Sequence, residues 1–570
     1  MIKWKRRLVL TLSFILALAF LTSCGAPSPT STSVSLTPTV TTAPTPATTA
    51  PPREKIVRVV QSWPVYIDPA VGADNVASLT THNVYDTLVT LDDEGAVQPQ
   101  VAESWQYDPG TLTYTFKIRK GIKFHNGDEL KASDVVFSLK RMIDIGEGWG
   151  YLFRGLVKDV SAPDAETVKI TLEHQVAPFM LYLVHLAVVN EKQVMEHAKK
   201  DGPYGEFGDY GKDWLLTHDA GSGPYMIKEV KLEEYVIGVR NPNYWQEIDK
   251  DAPDSFKLIG TTEPVTVRTL MAQKELEITD SDQPKENYDA MSKLPGVKVA
   301  SFQGVGGTLL LMFNTSKPPL DDVHFRRAMV YIFDYATCHD QVMPYAGRAR
   351  GPVSTAMLGS DPSLPLLERD PEKAKAELAQ SKYAGKLDQY PVDLWWNSVV
   401  PDQEKIALLL QSNCAEIGIK VNVVKSSWTQ FVDAAARPDT TPHIFPVIFS
   451  TPAYAEAGSM LSQAYYSSTR GTFYNMHWFD ETTQAEIDSM IDDAISTLDS
   501  NERYEKYKAI QKKILDLAPD IIPAEMPMRH AYQAEYLKWP AADKAEAGGK
   551  ANLIYGLRMQ FKDMRFIGGE

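Results

Sequence analysis

The sequence predicts an α/β protein of two or three domains, set behind an export signal and a low-complexity tether. Three observations carry this. Residues 1–23 pair a cationic start with a short apolar run, and residues 27–52 are almost entirely Ser, Thr and Pro. The 518 residues from Arg53 onward mix strand-like and helix-like periodicity, and in the C-terminal half the two alternate.

The first segment reads MIKWKRRLVLTLSFILALAFLTSC. Lys3, Lys5, Arg6 and Arg7 precede an uncharged stretch from Leu8 to Leu21. Such a stretch falls short of the roughly 20 residues that cross a bilayer, but it suits the apolar core of a cleaved signal. Leu21-Thr22-Ser23-Cys24 is similar to a bacterial lipobox. That resemblance implies lipidation of the Cys24 thiol and cleavage before it, leaving a membrane-tethered, extracytoplasmic protein. From Pro27 to Pro52, 20 of 26 residues are Ser, Thr or Pro and none is charged. This composition favours extended, solvated conformers and reads as a leash with a reach of about 30 Å.

Without residues 1–23 the chain carries 54 basic and 73 acidic residues, a net charge of −19. A nucleic-acid partner needs a basic footprint and is disfavoured. Beyond Cys24 there are two thiols, Cys338 and Cys414, each in a helix-like segment. That placement favours buried free cysteines over a disulfide, so stability must come from core burial.

Strands are expected first. KIVRVV is β-branched, and LTYTFKI alternates Leu112, Tyr114, Phe116 and Ile118 against polar neighbours after an Asp108-Pro109-Gly110 turn. Asn126-Gly127 marks another turn, and Ser133 is the expected cap of a helix through VVFSLKRMI. The runs ETVKITL, PYMIKEV, YVIGVR, VKVASF and TLLLMF read as further strands. Helix faces follow: Ile406, Leu409, Leu410, Cys414 and Ile417 up to Gly418, before the strand KVNVV. Ile487, Met490, Ile491, Ala494, Ile495 and Leu498 mark a second face, and Tyr504, Tyr507, Ile510 and Ile514 a third, stopping at Ala518-Pro519.

An enzyme requires a constellation, and none is visible. The sequence contains no G-x-S-x-G, H-E-x-x-H, Walker or C-x-x-C motif. Gly304-Val305-Gly306-Gly307 lies between two strands and opens no helix, so it is a poor phosphate cradle. His477, among the aromatics of FYNMHWF, lacks a second ligand at helical spacing, which favours a structural or ligand-lining role over a metal. Cys338-His339-Asp340 are adjacent on a helix and point apart. No cofactor and no metal is expected, and the reading is a binding protein.

The block GAVQPQVAESWQYDPGTLTYTFKIRKGIKFHNGDELKASDVVFSLKRMID resembles the extracellular solute-binding proteins of family 5, the oligopeptide-, dipeptide- and nickel-binding receptors of ABC importers. GSGPYMIKEV with RNPNYW, LMFNTSKPPLDDVHFRRAMVYIFD, RDPEKAKAELAQ and ERYEKYKAIQKKILDLAPDIIP extend the resemblance in order across 53–535. It implies a bilobal α/β periplasmic-binding fold of type II, in the cluster with an extra domain. Lobe I would comprise 53–90, 219–313 and 526–570, the additional β-rich domain 91–218, and lobe II 314–525. Residues 1–23 would be the signal and 24–52 the lipidated tether. Two crossings, after TLLLMF and near Ile521-Ile522-Pro523, would form the hinge.

In peptide-binding members a lobe II carboxylate pairs with the peptide amine. The corresponding stretch here is FPVIFSTPAYAEAGSML, where Phe449 and Tyr454 keep aromatics but Ser450, Thr451 and Pro452 stand in place of the acid. Glu456 is offset by several residues. A buried ammonium without a counter-charge costs several kcal/mol, so either another carboxylate serves or the ligand lacks a free amine. The other candidate ligand residues are Trp63, Tyr66, Trp149, Tyr151, Arg348, Arg350, Trp395, Trp396, His477 and Trp478. Successive strand residues face opposite sides, so at most one of Trp395 and Trp396 should line a cleft.

These features together describe a receptor that closes two lobes on a short peptide or peptide-like solute and passes it to an ABC permease with its ATPase subunits. The expected state is a monomer held at the membrane by its lipid anchor alone, without nucleic acid. A sugar or nickel chelate is the alternative solute, and a secreted hydrolase the alternative class.

Overall fold

In a computed structural model the described residues are 54–568, apart from Pro64, Val399, Ser450 and Thr451. Cys24 and the tether lie outside them. Three sheets organise the described chain.

The first is built on the strand Ile56–Gln61, whose Val57, Val59 and Val60 are fully buried. It pairs in parallel with Ser255–Gly260, which is followed antiparallel by Tyr235–Arg240 and then Tyr225–Lys231. On its other side Val59 bridges Ile278 in parallel, and Ile278 bridges Tyr532 of the strand Met528–Gln533. That strand pairs antiparallel with Val297–Phe302. The chain thus enters this lobe several times, and its core joins Val57, Phe256, Ile278 and Trp539.

The second sheet is antiparallel throughout, in the order Ala102–Asp108, Thr113–Ile118, Thr167–Leu172, Val157–Ser161. The period-2 pattern of LTYTFKI holds: Tyr114, Phe116 and Ile118 face a core that includes Val135, Leu139 and Met142 of the helix Ala132–Ile145. Two details depart from expectation. Leu112 precedes the strand at φ 53°, in the turn. Ser133 lies inside the helix, whose cap is Lys131, and the Asp134 carboxylate accepts from the Lys131 N–H at 2.8 Å.

The third sheet runs Val421–Ser426, Val392–Asn397, Ile444–Phe449, Thr308–Phe313, Asp520–Glu525. The first three strands are parallel. Thr308–Phe313 is buried at every position because both faces are covered. Leu309, Leu311 and Phe313 pack with Phe325, Met329 and Leu410, while Leu310 and Met312 pack with Phe431, Phe445 and Ile487. The helix Pro401–Ala415 reaches its sheet strand through Gly418 at φ 82°, as the helix–Gly–strand pattern requires. Leu498 falls beyond the helix Glu481–Ser496 and is exposed.

TLLLMF is an inner strand of the third sheet, so the chain passes between sheets before it, not after residue 313. Ile521, Ile522 and Pro523 lie within the edge strand Asp520–Glu525 of the same sheet. The crossings are therefore 303–307 and 526–527, between strands that pair in different lobes. They touch: Met526 N–H donates to Gly307 O at 2.8 Å. A Cβ on Gly306 would lie 2.6 Å from Met526 O, so only glycine allows this approach.

Candidate ligand-binding cleft

Parallel strands present their carboxyl ends on one side, where open α/β sheets gather ligands. In lobe I these ends are Gln61, Gly260 and, after the extended segment at Ile278, Asp280. In lobe II they are Asn397, Ser426 and Phe449. Lobe I and lobe II meet at the rims of this space. Arg529 lies over the Tyr288 ring at 4.4 Å and over the Tyr345 ring of lobe II at 5.1 Å. The Tyr345 hydroxyl donates to Asp402 at 2.8 Å. At the other rim Tyr151, 51% exposed, meets the side chain of Gln463 and lies near Tyr474.

The second sheet's domain also grips lobe II. His185 Nε2 donates to Ala453 O at 2.7 Å, Ala177 N–H to Ile495 O at 2.8 Å, and Gln175 to Ser496 O at 2.5 Å. Ala453, Tyr454 and Ala455 are buried in that domain's core.

The expected site residues divide by this geometry. Tyr151 stands at the rim. Trp63 and Tyr66, both half-buried, line a recess of about 330 Å³ with Leu215, Leu216 and Leu232. Their loop is tied down by a buried bidentate pair, Arg141 Nη1 and Nη2 to Asp68 at 2.6 and 2.5 Å. Trp395 is half-buried and Trp396 buried against the opposite face of the sheet, as strand alternation requires. Phe449 ends its strand opposite Thr308; its side chain is outside the described residues.

Three of the expected residues, Trp149, Tyr454 and His477, are core instead. Trp149 is core, stacked on His185 with centroids 4.0 Å apart. Tyr454 is buried against Tyr182. His477 is fully buried with Nε2 2.8 Å from Asp520 and Nδ1 3.0 Å from Ala464 O, so neither nitrogen is free for a ligand. Trp478 donates its indole N–H to Thr441 at 3.0 Å. Arg348 and Arg350 donate to the carbonyls of Leu367 and Leu364 at 2.9 and 2.6 Å, holding a loop in lobe II.

Asp280, Asp282, Tyr288, Tyr345 and Arg529, which lie beside these segment ends, were not among the sequence expectations. The sequence signal for the acids is ELEIT followed by Asp-Ser-Asp, an extended segment ending in two carboxylates.

Two lobes joined by two crossings, with opposed strand ends between them, define a solute-binding protein of the bilobal class. The family model described as Bacterial extracellular solute-binding proteins, family 5 Middle, matches residues 96–472, and the chain belongs to this family. It is 28% identical over 480 residues to the Probable D,D-dipeptide-binding periplasmic protein DdpA of Escherichia coli, covering 82% of this chain and 88% of that one. It is 26% identical to Heme-binding protein A of Haemophilus influenzae, covering 80% and 84%. The periplasmic binding protein DppA of Helicobacter pylori, solved with the peptide STSA, superposes with a TM-score of 0.70 at 20% identity, covering 90% and 98%.

Proposed function

We propose that this chain is the extracytoplasmic receptor of an ABC importer, which closes its lobes on a short peptide or peptide-like solute and delivers it to the permease without altering it. The observation that supports this reading is a chain that crosses twice between two sheets, with Arg529 stacked on Tyr288 beside one sheet and on Tyr345 beside the other. Capture follows from differential affinity: the solute stabilises the closed arrangement by the contacts it makes only there. The peptide relatives support the solute class. The lipobox-like LTSC supports attachment through a lipidated Cys24, and among the described residues no helix is long and apolar enough to cross a membrane. The receptor acts as a monomer, since each chain supplies both walls of its own cleft.

Native mass spectrometry of the purified protein, before and after unfolding and refolding, tests this. A ladder of short peptides released on unfolding is expected. A single non-peptide mass such as a sugar or metal chelate would overturn the solute class.

A further inference from the structure

The amine-pairing acid expected in lobe II is absent, and Glu456 does not replace it: its carboxylate is buried and spent on Arg503. Lobe I holds a different pair of carboxylates. Asp280 follows directly on the segment that bridges Ile56–Gln61 in parallel, which puts it on the row of strand ends facing the cleft. It is 2% exposed, and although Oδ1 accepts from Gln283 Nε2 at 2.8 Å, Oδ2 is buried without a partner. A buried acceptor left unmade is costly, on the order of 1–3 kcal/mol, so a donor brought to Oδ2 would be favoured. Asp282, two residues on, keeps solvent contact yet is desolvated by the protein around it.

Among the described residues no cation acts on either acid. Burial first, and then the charge of Asp282, push the Asp280 carboxyl up to about 8, and burial raises Asp282 as well. The titratable and charged groups around the pair are Tyr288, Tyr555, His530, whose ring Nδ1 is taken by Thr279 O at 2.8 Å, and Arg558, which lies over the Tyr555 ring and lowers His530. Arg529 is turned onto the rings of Tyr288 and Tyr345. Two facing carboxylates with no resident counter-charge need one from outside, because like charges at such a site cannot both ionise unaided.

Resting on the peptide reading above, we propose that Asp280 and Asp282 form a lobe I subsite for an ammonium group of the solute, taking over the role of the missing lobe II acid. The solute's N–H donors reach Asp280 Oδ2 and the Asp282 carboxylate, and its positive charge ionises the pair. At neutral pH the proton held on Asp280 in the empty protein leaves to solvent as the ammonium arrives, so binding is accompanied by proton release.

The test uses the full chain, with Asp280→Asn and Asp282→Asn, each checked for an unchanged far-UV spectrum. The probes are trialanine, N-acetyl-trialanine and 1,4-diaminobutane, followed by calorimetry in two buffers of different ionisation enthalpy. Trialanine should bind at least tenfold more tightly than its acetylated form, release a proton at pH 7, and lose both features in either variant. A preference for the free amine that persists in both variants overturns the subsite. If neither trialanine form binds while diaminobutane does, with the same dependence on the two aspartates, the subsite stands and the peptide reading falls. Binding of no probe, or binding indifferent to both substitutions, overturns the subsite.

Discussion

Arg503 clasps Glu456 in a buried bidentate pair, Nε to Oε2 at 3.0 Å and Nη2 to Oε1 at 2.7 Å, with the Tyr504 and Tyr507 hydroxyls at 3.2 and 3.3 Å completing the carboxylate's shell. Glu456 precedes the helix Ala457–Tyr465, and Arg503 sits in the helix Ser500–Leu517, so the pair fixes two lobe II helices against each other. Removing one partner of such a pair strands a buried charge, a loss of about 3–5 kcal/mol. Arg503→Met should therefore lower unfolding free energy in urea by about that much, with ligand affinity of the folded protein unchanged. A selective loss of affinity at full stability would instead place Glu456 in the site.

Trp149 and Tyr151 are neighbours in sequence with opposite duties. Trp149 is 7% exposed and stacked on His185, whereas Tyr151 is 51% exposed at the cleft rim. Truncating a buried tryptophan removes its packing and leaves a cavity, a loss of about 3–5 kcal/mol. Trp149→Ala should show that loss in the ligand-free protein by urea titration. Tyr151→Ala should leave the ligand-free melting temperature in place and weaken solute binding, read by calorimetry. Equal destabilisation by both would make Tyr151 core.

This pair shows what was legible in the sequence and what was not. Periodicity found the strands and helices: LTYTFKI, VDLWWNS and the 401–415 helix lie where their patterns put them, because burial of one face is written residue by residue. The alternation of Trp395 and Trp396 followed from the pleat alone. The partition of aromatics between core and cleft did not, since Trp149, Tyr454 and His477 are buried by tertiary contacts with His185, Tyr182 and Asp520, which no local periodicity records. Asp280 and Asp282 were missed for the same reason. Their position comes from the non-local bridges of Ile278 to Val59 and Tyr532, which set a short acidic stretch beside the ends of the parallel strands.

His185 carries a pH dependence. Burial first, and then the neighbouring His82, lower its imidazole to about 3, although its bond to Ala453 O acts the other way. The unfolded chain protonates this histidine near its ordinary value of 6.5, and the folded chain does not. Stability from this group is thus fully present above pH 6.5 and falls as the pH drops toward 3, by up to about 1.4 kcal/mol per pH unit. His185→Gln keeps an N–H for Ala453 O and removes the titration. Its unfolding free energy should decline less steeply than wild type between pH 6 and pH 4.5, by close to one proton in the linkage slope. An unchanged slope would mean that His185 is not excluded from solvent.

The hinge offers the remaining prediction. Gly306 on one crossing lies so near the other that an added Cβ would meet Met526 O at 2.6 Å and the Pro527 carbonyl at 2.8 Å. These neighbours are backbone, not the far ends of flexible side chains, so they yield only if the crossings separate. The hydrogen bond from Met526 N–H to Gly307 O at 2.8 Å opposes that separation. Gly306→Ala should cost about 1–3 kcal/mol in the ligand-free protein, the range for forced overpacking. Closure needs the lobes to turn about these two segments, so the variant should also bind solute more weakly and keep a larger radius of gyration by small-angle scattering at saturating solute. A variant that loses stability but closes to the wild-type radius would show that the lobes pivot elsewhere.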